Sequence, residues 1–279
     1  MPKVDTYPPI TTLQPNDLFL IETAADAAYK ALKYSSLASI FASTLPTNPI
    51  NTSSGMILEY QFTTGSGLSA LNTGSLGSSY NALLGGSATA NSSDPTWLTW
   101  ASEGLSFNYA NSQFLSIPPL PTWSGGDLSI EVCLLVRSYQ TWSRIFSMSN
   151  SGGANEIFLG ASNSSSGQME MGGGATTALV APLTTTKYQW VHVFLVIASG
   201  VASIYWNNCL QGTATVGSIA TNTSRSQVYI GKSPFSGDGY LDGCIALFRL
   251  YNRAILNAER LANYQASRAL LLANGIIIP

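Results

Sequence analysis

Residues 188–251 decide the fold: Tyr188-Gln-Trp-Val-His-Val-Phe-Leu-Val-Ile197, then Val201-Ala-Ser-Ile-Tyr-Trp-Asn-Asn-Cys-Leu210, Gln227-Val-Tyr-Ile-Gly231 and Leu241-Asp-Gly-Cys-Ile-Ala-Leu-Phe-Arg-Leu-Tyr251. Each run is rich in β-branched and aromatic residues and is bounded by Gly, Asn or Ser, the pattern of strands joined by turns. Four such runs in succession predict antiparallel strands. Working outward, Leu128-Ser-Ile-Glu-Val-Cys-Leu-Leu-Val136 alternates so that Leu128, Ile130, Val132, Leu134 and Val136 share one face, which predicts a buried side. Ile204, Trp206, Ile245 and Leu247 are expected to meet it in the same core. Arg144 to Met148, Glu156 to Gly160 and Gln168 to Met171 supply three further strand candidates, and Met56 to Phe62 an opening strand.

The residues Trp190, His192, Val193, Tyr205, Asn207, Ile230, Gly231, Gly243, Ile245, Arg249, Tyr251, Asn252, Arg253, Ala254 and Ile255 occur in an order and spacing that resembles a laminin-G-like, concanavalin A-type jelly roll. The resemblance implies an all-β sandwich over residues 51–255. Gly104 to Pro118 resembles that family's paired second and third strands. A helix is expected to follow, with Asn257 as its cap, Ala258 to Ala273 as its body and Gly275 closing it. Leu261, Tyr264, Leu270 and Leu271 are its expected apolar stripe, and residues 256–279 form a terminal helix and apolar tail.

Composition narrows the function. Of the 279 residues 45% are hydrophobic but only 9% are charged, against about 25% charged in ordinary soluble domains. Gly, Ser, Thr and Asn fill the polar positions, so copies of the chain repel one another weakly. The net charge of −2 carries no basic cluster of the kind that phosphate neutralisation demands, which argues against nucleic acid. No run approaches the roughly 20 apolar residues of a membrane span, and the start, Met1 to Pro9, has no apolar core of a signal peptide. Cys133, Cys209 and Cys244 are an odd set within strand patterns, expected as buried thiols.

Residues 1–50 read as a separate module. Leu18, Phe19, Leu20 and Ile21 form a short strand, Tyr29 to Tyr34 a second, and Ser35 caps a helix carrying Leu37, Ile40 and Phe41. Pro46 and Pro49 keep the following linker extended. Roughly forty residues bury too little to stand alone. The order of residues from Ile10 to Ser43 is similar to the amino-terminal stretches of bacteriophage tail-fibre and other virion-attached proteins. That resemblance implies a virion structural subunit (fibre, spike or decoration) of a tailed phage, synthesised in the host cytoplasm, forming a homotrimer and binding capsid or tail proteins. The apolar ending Ile276-Ile277-Ile278 is expected to join Leu18 to Ile21, Leu37, Ile40 and Phe41 as an assembly surface, or to pack on its own domain.

Catalysis is not expected. Glucanases of the resembled family place carboxylates on one strand as Glu-x-Asp-x-Glu or Glu-x-Asp-x-x-Glu, because a retaining mechanism needs two of them about 5 Å apart. None of the fourteen acids here has that spacing. His192, the one histidine, is read as a core or strand-surface residue. No cofactor is required. Calcium is the open alternative, with Asp238 and Asp242 as candidate ligands beside Asp94 and Asp127, although Ala246 and Leu247 replace two acids often seen in the family's last strand. Carbohydrate binding needs aromatic faces and uncharged donors. Trp97, Trp100, Trp123 and Trp142, with Phe235 and Tyr240, supply aromatics near loops; Trp142, Phe235 and Tyr240 are the candidates, with core filling as the competing role for each tryptophan. The expected function is a non-enzymatic virion protein displaying a lectin-like domain for host-surface glycans. A freestanding lectin and an inactive glycosidase relative are the alternatives.

Overall fold

The computed structural model describes residues 53–98, 104–122, 126–173, 176–216 and 223–279. These lie within residues 50–279, one compact unit. The expected strands and helix of residues 1–50, with Leu18, Phe19, Leu20, Ile21, Leu37, Ile40 and Phe41, fall outside the described residues.

Two eight-stranded antiparallel sheets face each other. The first comprises β1 (Met56–Tyr60), β4 (Thr96–Trp97), β5 (Leu105–Phe107), β7 (Leu128–Val136), β12 (Trp190–Ala198), β13 (Val201–Trp206), β14 (Cys209–Thr215) and β16 (Gly243–Tyr251). Its order is β14-β13-β12-β7-β16-β5-β4, with β1 also on β16. The second runs β11 (Thr176–Thr184), β10 (Gln168–Gly173), β9 (Ile157–Gly160), β8 (Arg144–Ser149), β15 (Gln227–Ile230), β6 (Leu115–Ile117), β3 (Ala82–Leu84), β2 (Ser69–Ala70). Leu128, Ile130, Val132, Leu134 and Val136 all face the core between the sheets, as their alternation demands.

Four expectations about the strands and cysteines change. The run from Val201 is two strands, because Asn207 and Asn208 both take left-handed backbone (φ 46 and 67) and turn the chain between β13 and β14. β5 and β6 do not pair: β5 joins β16 and β6 joins β15, each in a different sheet. The crossing is made by a short 3-10 turn at Tyr109–Asn111, capped by the Asn108 side chain and ended by left-handed Ser112. Leu247 leaves the common core, because β16 slips register between Ile245 and Leu247. Leu247 then points outward, into a second cluster with Cys133, Trp190, Cys244 and Ala246. Of the cysteines, Cys133 and Cys244 are buried, but Cys209, at the start of an edge strand, is exposed.

Helix α1 (Asn257–Ala273) covers part of the first sheet's outer face. Its N-cap is Leu256, one residue before the expected Asn257, and the Glu259 carboxylate accepts the Leu256 backbone N–H at 2.8 Å. Gly275 (φ 82) lets the Ile276 N–H return to the Leu271 carbonyl, the expected stop. The expected stripe holds for Leu271, which is buried, and Tyr264, which packs against the second cluster, but not for Leu261 and Leu270. The buried helix residues are Glu259, Arg260, Asn263, Ser267 and Leu271, while Leu261 and Leu270 are exposed. In the tail, Ile276 and Ile278 pack into the second cluster of their own domain, and of the three isoleucines Ile277 alone stays exposed.

Candidate functional site

At the end of the first sheet where β4 and β5 form the edge, a cleft of about 590 Å3 opens, within the roughly 300–1,000 Å3 usual for small-molecule sites. Trp97 and Tyr109 give it aromatic surface, Asn108, Asn111 and Gln113 give amides, and Arg137 and Asp242 close its base. Each is placed by local structure. Trp97 lies in β4, fixed by its indole N–H on the Gly67 carbonyl at 2.9 Å. The 3-10 crossover holds Tyr109, and the Asn108 and Gln113 side-chain oxygens accept the Ala110 and Asn108 backbone N–H groups. Among the described residues neither NH2 group has a partner, which leaves both for a ligand.

Arg137 and Asp242 extend the β7–β16 ladder, the Arg137 N–H meeting the Asp242 carbonyl at 2.9 Å. Arg137 Nε donates to Asp242 Oδ1 at 3.1 Å, and its Nη1 donates to Ser106 Oγ at 2.7 Å. Nη2 donates to the Phe107 carbonyl, and Ser138 Oγ donates to Asp242 Oδ2. The pair is neutral overall and rigidly held. Burial pushes the thiol of Cys244, behind Arg137, above its ordinary range, so it is no ready nucleophile. An aromatic face with fixed amides and a neutral ion pair suits the hydroxyls and C–H faces of a sugar.

Of the residues expected at a site, Asp242 lies in this cleft, together with Trp97 from the wider set of loop aromatics. Trp142 and Phe235 lie elsewhere, on two loops joined by the Gly239 N–H on the Thr141 carbonyl at 2.6 Å. Trp142 takes left-handed backbone (φ 54) and its carbonyl accepts from Arg144 Nη1, while the Phe235 ring fills the space above Gly153, where a Cβ would stand 2.2 Å away. Between them lies a buried charge nest. Arg144, stacked 3.6 Å over the Phe158 ring, meets Glu156 at 3.4 Å, Glu170 at 3.0 Å and Asp238 at 3.5 Å. Burial outweighs Arg144 and pushes the Glu156 carboxyl up to about 7, with Asp238 and Glu170 adding to the rise. Tyr240 packs against Phe114 instead. Asp238 and Asp242 are thus each held by a different arginine, and no cluster of three metal-ligating side chains forms among the described residues. Asp127 and Asp94 each accept a backbone N–H, from Ser199 and Asn91.

The cleft residues Asn108, Tyr109, Asn111, Gln113 and Arg137 were not singled out in the sequence. The legible signal was the amide-rich run Asn108-Tyr-Ala-Asn-Ser-Gln113 around one tyrosine. Arg137 carried none, since its pairing with Asp242 spans 105 residues.

Residues 109–259 match the family model of the concanavalin A-like lectin/glucanases superfamily, more than half of the chain, and the protein belongs to that family. Among solved structures it is similar to domain 4 of an extracellular arabinanase from Geobacillus stearothermophilus in complex with arabinotriose (TM-score 0.55, 14% identity, 75% of this chain and 97% of that one). It is also similar to the Trypanosoma rangeli sialidase in complex with sialic acid (TM-score 0.57, 16% identity, 86% and 39%). A third is a botulinum neurotoxin type C structure, from work on ganglioside-dependent cell entry (TM-score 0.55, 14% identity, 77% and 52%). The chain therefore spans nearly all of the arabinanase domain but about two fifths of the sialidase and half of the neurotoxin chain. No curated protein matches it.

Proposed function

We propose that the chain is a carbohydrate-binding module that holds a glycan in the Trp97–Tyr109 cleft without hydrolysing it. The observation that carries this reading is the composition of the cleft: two aromatic rings, three amides and a neutralised Arg137–Asp242 pair. Structural neighbours solved with arabinotriose or sialic acid support the ligand class. Against hydrolysis stands the count of acids: among the described residues Asp242 is the one carboxylate lining the cleft, and acid–base hydrolysis of a glycoside uses two. Glu156 and Glu170, which do lie near each other, have side chains closed off from solvent.

We further propose that the module is displayed on a tailed-phage virion as a fibre, spike or decoration subunit, as a homotrimer. The order of residues from Ile10 to Ser43 and the low charge support that setting. The test is binding of the recombinant chain to a glycan array, repeated with Tyr109→Ala, whose side chain is exposed enough to remove without touching the core. Loss of stacking should weaken binding about tenfold. Equal binding by the variant, or turnover of a bound polysaccharide that vanishes in Asp242→Asn, would sink the reading.

A further inference from the structure

The outer face of the second sheet carries an aromatic cluster that the cleft does not use. Val228 and Ile230 face the core, so Tyr229 between them in β15 points out. Phe114, just before β6, meets Tyr229 edge to face with centroids 5.6 Å apart, and Tyr240 lies 6.3 Å from Phe114. Gly86 makes room for the Phe114 ring, since a Cβ there would stand 3.1 Å from it. Lys232, one residue past the Gly231 turn, folds back over this group. Its Nζ is 4.3 Å from the Phe114 centroid and 4.8 Å from that of Tyr229.

A surface lysine ordinarily extends its ammonium into water. Here the ammonium is partly desolvated by two ring faces, and burial draws its pKa down. Among the described residues no carboxylate forms an ion pair with it, although Arg144, Arg137 and Arg249 are all paired. Tyr229 is affected too: burial, then the neighbouring Tyr240, pushes its phenol up. The cluster is half-exposed throughout. It is a preorganised cation set in an aromatic floor and lacking an anion.

We propose that Phe114, Tyr229, Tyr240 and Lys232 form a second ligand site, for the ring-borne carboxylate of an acidic sugar. The carboxylate accepts from the Lys232 ammonium, a charge-assisted bond made stronger by the partial desolvation. The C–H face of the same sugar ring covers the exposed aromatic edge, and the phenols serve its hydroxyls. A neutral sugar would leave the ammonium unanswered, and a bare carboxylate would leave the rings uncovered. Hexuronic and nonulosonic acids share the required chemistry. The site shares no residue with the cleft and does not rest on that reading, although Gln113–Phe114 and Tyr240–Asp242 place the two side by side along the chain.

The test is an NMR titration of the full chain with sodium glucuronate, N-acetylneuraminate, methyl glucoside and acetate at matched ionic strength, following the ring signals of Tyr229 and Tyr240. One or both acidic sugars should bind at least about tenfold tighter than methyl glucoside and acetate, the size of one charge-assisted bond. Which of the two binds identifies the sugar class. Lys232→Met should lose that margin and Lys232→Arg should keep it, while Tyr109→Ala in the cleft leaves it unchanged. Lys232→Met binding the acidic sugar as tightly as the parent overturns the proposal. So does acetate or methyl glucoside matching the acidic sugars, or neither acidic sugar moving the two tyrosines.

Discussion

Glu131 and Glu156 are both carboxylates closed off from solvent, and the fold treats them oppositely. Burial alone would raise the pKa of Glu131, but Arg249 and the bonds from His192 and Ser267 outweigh it and hold the carboxyl at about 2. For Glu156 the burial wins, and its carboxyl sits at about 7. The stability consequences have opposite signs. Glu131, depressed below the ordinary value of 4.5, contributes stability above about pH 4.5 that is lost as pH falls toward 2. Glu156, raised above that value, is favoured protonated, so stability falls as pH rises from about 4.5 to about 7. Thermal melts should therefore peak between these flanks. Glu156→Gln should reduce the decline on the alkaline side to what the likewise raised Glu170 contributes, and leave the variant more stable than the parent at pH 8, by up to about 3 kcal/mol. A parent whose melting temperature is flat from pH 5 to pH 8 would contradict that placement of Glu156.

Helix α1 shows what an element does when its dock is charged. The outer face of the first sheet presents Glu131, His192, Arg249 and Tyr251 around one buried carboxylate. Glu131 Oε1 accepts from His192 Nε2 at 2.9 Å, Arg249 Nη1 at 3.1 Å and Ser267 Oγ at 3.0 Å; Oε2 accepts from Tyr251 at 3.2 Å and Asn263 Nδ2 at 2.9 Å. A buried carboxylate short of donors is costly, so the helix turns Asn263 and Ser267 inward and leaves Leu261 and Leu272 in solvent. Ser267→Leu, which makes the helix more apolar on its buried side, should nonetheless destabilise by about 1–3 kcal/mol, because Glu131 loses a donor. Leu272→Ser, on the exposed side, should stay within about 0.5 kcal/mol. Urea denaturation of the two variants decides it; the reverse order would mean that the helix docks by its leucines.

For the whole molecule, the described unit closes on itself. Ile276 and Ile278 join Leu271, Trp190 and Leu247 in the second cluster, so the tail that looked available for assembly is largely taken up by its own domain. No helix among the described residues is long and apolar enough to cross a membrane. In the proposed trimer, assembly would then fall to residues 1–50. Deleting them should leave residues 51–279 folded, with a melting temperature within a few degrees of the parent, but monomeric in light scattering and absent from virions. A truncated chain that remains trimeric would move the assembly surface onto the sandwich, with Leu261 and Leu272 as the first residues to test.

The sequence determined the sandwich and the run of its main strands, because alternation and turn residues are local: Leu128 to Val136 reads its buried face from its own spacing, and Gly275 ends α1 through its own backbone freedom. It also pointed to a sugar-compatible, weakly charged surface. Only the tertiary structure decided where the proposed site lies. Arg137 meets Asp242 and Arg249 meets Glu131 across more than a hundred residues, and spacing carries no trace of such partners. The helix orientation belongs with these. Periodicity counts apolar residues, but the side that turns inward is set by what the sheet presents, and here that is a buried charge needing hydrogen-bond donors rather than hydrocarbon.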